Sequence, residues 1–368
     1  MKGHFLLLRP NERTFSMNNN IKNTDEKQQE NNSILKKCTD KKVKNPKFTS
    51  YIENFISESM LNLIRTCGDY VMFLANESLD KIKLHSANFC KNRFCPMCSW
   101  RLACKDSLKL SILMEHIKKE EAKEFIFLTL TTPNVKGDKL NDEIISINKA
   151  FKKLMERKEV KNIVKGYIRK LEVTYQKEKY ITKELWKKKK KYYESKGLYI
   201  GDLEPNYDTY HPHFHVVIAV NKSYFKKTDL YLTQERWLEL WREATGNYDI
   251  TQVDVRKATS GDYKEVYELA KYSAKDSDYL VSRSVFKTFY EALKGKRLIV
   301  YSGLFKEANK LYENGDLDVY KKQDNIRYVY MINYEWFKNR YLETRKRELT
   351  KEEFERYNKM LIDEMEID

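Results

Sequence analysis

The 368-residue chain has no apolar stretch approaching the roughly 20 residues that a bilayer-spanning helix needs. Phe5-Leu6-Leu7-Leu8 is too short for the apolar region of a signal peptide. These absences argue against a membrane-spanning or secreted protein and for a reducing, cytoplasmic setting. There the six cysteines suit metal rather than disulfides. No basic amphipathic helix with a dedicated apolar face stands out, which disfavours a role on the membrane surface. Acidic residues are outnumbered, 54 against 70 Lys and Arg, for a formal charge of +16. With 26 Tyr and 17 Phe interleaved among those cations, the surface suits gripping phosphates and stacking bases. A polyanion is the expected partner, and the charge disfavours a hydrolase of small molecules. Hydrophobic content of 41% is enough for a substantial core in two or three domains.

Histidine is scarce, and three of the six fall within His211-Pro212-His213-Phe214-His215. The β-branched run after them, Val216-Val217-Ile218-Ala219-Val220, reads as a buried strand. Side chains alternate along a strand, so His213 and His215 point to one face and Phe214 to the other. Two imidazoles converging on one spot are the commonest start of a metal site. A second strand, Lys165 to Tyr175, carries Glu172 among apolar neighbours, where a carboxylate needs a partner or a cation. If the two strands pair, Glu172 supplies a third ligand.

Residues 1–48 have few aromatics and many Asn, Lys, Gln and Glu, the composition of a flexible polar leader. Residues 49–123 read as a helical region, with Ile52, Phe55, Ile56, Met60, Leu63 and Ile64 at helical spacing and a helix from Ser99 to Lys119. Within it, Cys95 and Cys98 flank Pro96 in a metal-binding knuckle that Cys90 is close enough to join. Cys67 is the first choice for the fourth ligand, with Cys104 and His85 as substitutes. Four thiolates around Zn²⁺ leave no open position, so such a zinc is structural. Arg93, Arg101, Lys105 and Lys109 around the knuckle are candidate DNA contacts.

Residues 124–283 alternate strands and helices: a strand from Glu124 to Thr132, a helix from Asn141 to Arg157, the two strands above, a helix from Thr233 to Ala244 and a strand from Ile250 to Val255. The insertion 176–208 is charged and helical, with five consecutive lysines, Lys187 to Lys191. Val266 to Lys275 reads as a helix on which Glu268, Tyr272 and Lys275 share a face. Residues 284–368 are basic and helical, with Phe286, Phe289, Tyr290 and Leu293 on one side, a segment for origin binding or self-association. The order implies an α+β fold: a central antiparallel sheet with helices on one face and the metal on the other.

Three blocks in this order carry a resemblance: Phe127 to Thr132, His211 to Val216, and Glu268-Leu269-Ala270-Lys271-Tyr272-Ser273-Ala274-Lys275. They resemble motifs one, two and three of plasmid rolling-circle replication initiators, the Rep proteins of the HUH endonuclease superfamily. The Cys90 to Cys98 knuckle with Cys67, and the stretches Leu293 to Arg297 and Tyr301-Ser302-Gly303, are also similar, so the likeness covers about Cys67 to Gly315. Relaxases of that superfamily carry the tyrosine before the histidines; here it follows them, which favours a Rep. The resemblance implies the HUH fold for residues 124–283 and nicking of one strand of a plasmid's double-strand origin. It further implies Tyr272 as nucleophile forming a 5′-phosphotyrosine and Glu268 as the base that activates water at termination; Lys275 on the same helix is a candidate stabiliser of the phenolate or of the developing phosphorane charge. His213, His215 and Glu172 would ligate Mn²⁺ or Mg²⁺, and His211 would not. The implied partners are origin DNA, duplex and single-stranded, a host helicase with the replication machinery, and a second copy of the chain. The rival expectations are a non-catalytic, zinc-stabilised DNA-binding protein and an HUH transposase.

Overall fold

The computed structural model describes residues 33–226, 229–258, 269 and 274–365. The described chain begins with α1 (Ser33–Lys42), α2 (Asn45–Ile52) and α3 (Glu58–Arg65), then the hairpin β1 (Tyr70–Ala75) and β2 (Ile82–Ala87), and the long α4 (Pro96–Glu120). Next come β3 (Lys123–Thr131), α5 (Leu140–Glu156), α6 (Lys158–Ile163), β4 (Gly166–Gln176), α7 (Lys183–Ser195), β5 (Thr209–Asn221), α8 (Gln234–Thr245) and β6 (Asp254–Ala258). The remainder is α9 (Asp276–Tyr279), α10 (Arg283–Leu293), β7 (Ile299–Gly303), α11 (Leu304–Asn314), β8 (Tyr330–Phe337), β9 (Arg340–Glu348) and α12 (Lys351–Tyr357). The fold is α+β with two antiparallel sheets, one ordered β6-β3-β5-β4-β7 and the other β2-β1-β8-β9.

The larger sheet separates two apolar layers because its strands alternate. Ile126, Leu128, Leu130, Phe214, Val216 and Ile218 face α5 and the Trp237 and Trp241 side chains of α8. Phe125, Phe127, Ile168, Val217 and Ala219 face the other way, against Leu108, Ile112 and Leu113 of α4 and Phe305 of α11. Helices therefore pack on both faces, not on one as the sequence suggested. The reason is α4, whose apolar residues run round most of its circumference, so it reads as a buried rod with no single preferred side.

The pairing register places β5 at the centre of the sheet, and Pro212 is the residue to explain there. Tyr210 exchanges both backbone bonds with Val135, so by alternation the missing N–H of Pro212 faces the same side. On that side β3 has already ended at Thr131, and no ladder bond is lost.

Other expectations change with the long-range contacts. Residues 284–368 are not wholly helical: β7 joins the edge of the larger sheet, and β8 pairs with β1 on one side and with β9 on the other. The 49–123 region likewise contains the β1–β2 hairpin. Residues 33–48 of the polar leader are helical rather than flexible, because Ile34, Leu35, Cys38 and Phe48 bury one side of α1 and α2; residues 1–32 lie outside the described residues. The strand placed at Ile250 to Val255 begins at Asp254 instead. Upstream of it the carbonyls of Ile250 and Val253 accept hydrogen bonds from the Arg242 and Gln234 side chains, which occupy them in place of a neighbouring strand.

At the β4–β7 pairing the two backbones leave no room for a side chain at Gly303. A Cβ on Gly303, at φ +53°, would fall on the Lys165 carbonyl oxygen and 2.8 Å from the Gly166 Cα. Gly303→Ala is therefore expected to lower stability by roughly 2–4 kcal/mol in denaturant titration. Gly315→Ala, also at positive φ but with its nearest neighbour at 3.9 Å, is expected to cost about 1 kcal/mol. Equal losses would contradict a steric cause.

Candidate active site

Two rows cross the sheet face that looks toward α4. Thr131, His213 and Glu172 lie side by side in one, and Thr129, His215 and Lys170 in the next. The Glu172 Oε2 is 3.1 Å from His215 Nε2 and 3.7 Å from His213 Nε2. All three side chains are buried, and their ligating atoms lie within 4.8 Å of one another. His213 Nδ1 donates to the His211 carbonyl at 3.0 Å. A carbonyl only accepts, so that nitrogen carries a proton and Nε2 is the ring atom left to face Glu172. His215 Nδ1 pairs with Thr129 Oγ1 at 3.3 Å, and the His215 ring stacks on Phe127 at 5.8 Å. Burial pushes the Glu172 carboxyl up, but its contacts with the His213 and His215 rings outweigh this and hold it well below the usual carboxylate range. The carboxylate is therefore charged. Two imidazoles and one carboxylate, each ring oriented through its other nitrogen, could hold a divalent cation. The 3.1 Å separation is close to the roughly 3 Å between neighbouring ligands of a small octahedral ion.

Sequence reasoning missed the residues that support this set. Thr129 could have been found from the Thr129-Leu130-Thr131 alternation, which puts both threonines on the histidine face. Lys170, also buried on that face, carried no separate signal. Neither did Arg256 of β6, whose guanidinium lies 4.7 Å over the Phe127 ring.

Glu268 and Tyr272 lie outside the described residues; between them, Leu269 is buried in the α4-side core. Lys275 is exposed, and its backbone is extended at the N-cap of α9, so helical geometry does not continue to it as the sequence predicted. The segment after it is anchored at three points. Asp276 pairs with Lys41 at 3.1 Å and Lys44 at 3.0 Å, Asp278 accepts the Tyr175 N–H at 3.4 Å, and the Tyr279 hydroxyl donates to the Phe94 carbonyl at 2.8 Å.

Phe94 belongs to the cysteine knuckle. Cys67 to Cys98, Cys90 to Cys98 and Cys67 to Cys95 are each 3.6 Å between sulfurs. That is far beyond the ~2.05 Å of a disulfide. It is near the ~3.8 Å edge of a thiolate tetrahedron with metal–sulfur bonds of about 2.3 Å. The structure thus gathers Cys67, Cys90, Cys95 and Cys98 as a possible metal cage. The substitutes lie elsewhere: His85 packs on the Tyr357 ring at 4.8 Å, and the Cys104 carbonyl accepts the Met365 N–H. Hydrogen bonds from Cys90, Cys95 and Cys98 hold the Cys67 thiol far below its ordinary pKa. Of the cations near the knuckle, Lys105 is exposed and Arg93 binds the Lys296 carbonyl at 2.9 Å. Arg101 is buried in an ion pair with Glu364, so it is not presented to DNA. Lys109 is taken up by Glu313 and by the Tyr301 and Tyr312 rings.

The connection between β4 and β5 carries α7. Its backbone leaves helical values at Lys189, φ −124° and ψ 27°. Lys189 is near enough for its charge to reach His211, whose pKa is pushed down to about 3, chiefly by burial, then by His213 and Lys189.

A family model described as replication protein matches residues 81–342. The chain is 47% identical over 250 residues to a Staphylococcus aureus protein named protein rep, covering 68% of this chain and 97% of that one. It is 34% identical over 279 residues to a protein rep of Streptococcus pneumoniae serotype 2, covering 73% and 78%. A Bacillus protein rep is 33% identical over 297 residues, covering 72% and 87%. No solved structure matches the chain. Among the described residues, no helix is long and apolar enough to cross a membrane.

The ion pairs of Asp276 give a pH dependence of known sign. Burial raises this carboxyl, but Lys41 and Lys44 outweigh it and hold it below the ordinary range. A folded pKa below the unfolded one gives stability that is present above about pH 4 and lost as pH falls through the lower, folded value. Asp276→Asn is expected to cost about 1–3 kcal/mol at pH 7 and less at pH 3, read from urea midpoints. A loss that is the same at both pH values would show that the pairs carry no net stabilisation.

Proposed function

The chain belongs to the replication-protein family, the plasmid Rep initiators that its motifs resemble, and on that footing we propose that it nicks one strand of a plasmid's double-strand origin. The observation that carries the reading is the convergence of Glu172, His213 and His215 in one buried row-pair of the sheet. A phosphodiester resists attack because its negative oxygens repel nucleophiles. A tyrosine, with a reference pKa of about 10, is mostly protonated at neutral pH. A bound Mn²⁺ or Mg²⁺, which this nitrogen-and-oxygen set suits, supplies the electrostatic polarisation of a phosphate oxygen. His213 and His215 contribute neutral donors held in place by the His211 carbonyl and Thr129, and Glu172 contributes the negative charge.

In this proposal the Tyr272 oxygen forms a bond to phosphorus as the bond from phosphorus to the 3′ oxygen breaks. The phenol proton is released and the 3′ oxygen gains one, leaving a 5′-phosphotyrosine and a 3′-hydroxyl primer. Lys275, exposed and cationic, stabilises the phenolate. Glu268 later takes a proton from the water that hydrolyses the tyrosine ester. Cys67, Cys90, Cys95 and Cys98 hold a structural Zn²⁺, since four thiolates leave no position for substrate. The partners are origin DNA, a host helicase with the replication machinery, and a second copy of the chain, in the cytoplasm.

The reading is tested with purified protein, supercoiled origin plasmid and Mn²⁺. Nicked circles and a DNA-linked peptide containing Tyr272, both absent in Tyr272→Phe, are expected; binding without a nick would favour the non-catalytic alternative. His215→Ala is expected to reduce nicking at least 100-fold while leaving the zinc content at one per chain. Thr129→Val, which removes only the bond to His215 Nδ1, is expected to weaken Mn²⁺ dependence about 10-fold, seen as a higher half-saturating concentration. An unchanged Mn²⁺ titration would separate Thr129 from the site.

A further inference from the structure

The insertion between β4 and β5 begins five residues after Glu172 and ends three residues before His211, so whatever it holds is tethered beside the candidate metal site. It is built as a fixed platform. Tyr193 is fully buried and donates to Glu204, itself buried; Ile181 is buried, Tyr180 bridges Leu203, and Thr182 caps α7 by accepting from the Leu185 N–H at 3.2 Å. On that base three rings form a staircase. Trp186 is parallel to Tyr193 within 8° and to Tyr199 within 19°, each at 5.9 Å between centroids. The inner step is buried, while Tyr199 is 65% exposed. Along the same helix Lys187 to Lys191 are all exposed, and the backbone leaves helical values at Lys189. Five of the fifteen large apolar or aromatic side chains exposed among the described residues, Tyr180, Tyr199, Ile200, Leu203 and Tyr207, stand on this one segment.

A lysine run serving solubility alone needs no exposed aromatic beside it. Cations next to an open ring face are the two halves of a site for unpaired nucleic acid: the cations follow the phosphates and the ring takes a base. Duplex DNA fits less well, because its bases are already stacked and offer no face to Tyr199. We infer that residues 177–208 form a grip for the unpaired strand, in which Tyr199 stacks a base and Lys187 to Lys191 lead the sugar-phosphate backbone toward Glu172, His213 and His215. The inference rests on the nicking reading for its partner, since a strand must be single to enter the site and be cut.

The test measures fluorescence anisotropy of a fluorescein-labelled 20-nucleotide single strand, and of the same strand in duplex, with full-length protein carrying Tyr272→Phe so that nothing is cleaved. Added Tyr199→Ala is expected to weaken single-strand binding about 10-fold and leave duplex binding unchanged, while Tyr199→Phe retains both. Converting Lys187, Lys188, Lys190 and Lys191 to Gln is expected to reduce the slope of log affinity against log salt by roughly 3. Unchanged single-strand affinity, or equal loss on single strand and duplex, would overturn the inference. So would intact strand binding with loss of self-association in sedimentation, which would give this face to a second copy of the chain. Adduct formation by the unsubstituted protein is measured in parallel. An adduct together with arm variants that bind normally sinks the grip alone; arm-dependent binding with no adduct sinks the nicking reading alone.

Discussion

A charged carboxylate held away from water between two imidazoles is the constraint to which the rest of this fold answers. An isolated ion in such a place costs several kcal/mol, so Glu172 is tolerable only while His213 and His215, or a cation among them, face it. That in turn depends on the register of β4 against β5. A slip of one residue would turn both histidines into the layer occupied by Trp237 and Trp241 and expose Phe214 on the opposite side. The large apolar side chains on both faces therefore do more than fill space: they make every other register unfavourable. The two helical layers protect the same arrangement, α5 and α8 behind the sheet, α4 and α11 over the half of the front face that the histidines do not use.

Around this centre the chain brings together segments far apart in sequence. α1 reaches Asp276 through Lys41 and Lys44, and the cysteine knuckle reaches Tyr279 through the Phe94 carbonyl. Both contacts fall just beyond the tyrosine motif, so a cage of four cysteines remote from the histidines still bears on where that motif ends. The lysine-rich arm rises from the ends of β4 and β5.

What was legible in the sequence was local. The alternation of His213, Phe214 and His215 needs only the two-residue period of a strand, and the polar Glu172 among apolar neighbours marks itself. The spacing of Cys90, Cys95 and Cys98 likewise suggests a cage, and the structure brings Cys67 beside them because α3 and the β1 hairpin return to the knuckle. Long-range events left no such trace. Nothing near Tyr330 to Phe337 says that its partner is Tyr70 to Ala75, and nothing near Arg101 points to Glu364. The helical pattern read through Lys275 stops short of it, because Lys275 is the extended N-cap of a separate short helix, α9, whose Asp276 and Asp278 are anchored by other elements.

The central claim is that these two imidazoles and this carboxylate share one divalent ion. Electron spin-echo modulation of Mn²⁺ added to the zinc-loaded protein reports directly on nitrogens bound to the manganese. The account predicts two histidine nitrogens coupled to the ion, with one lost in His213→Ala. A spectrum showing only water and carboxylate oxygen around the manganese would contradict it.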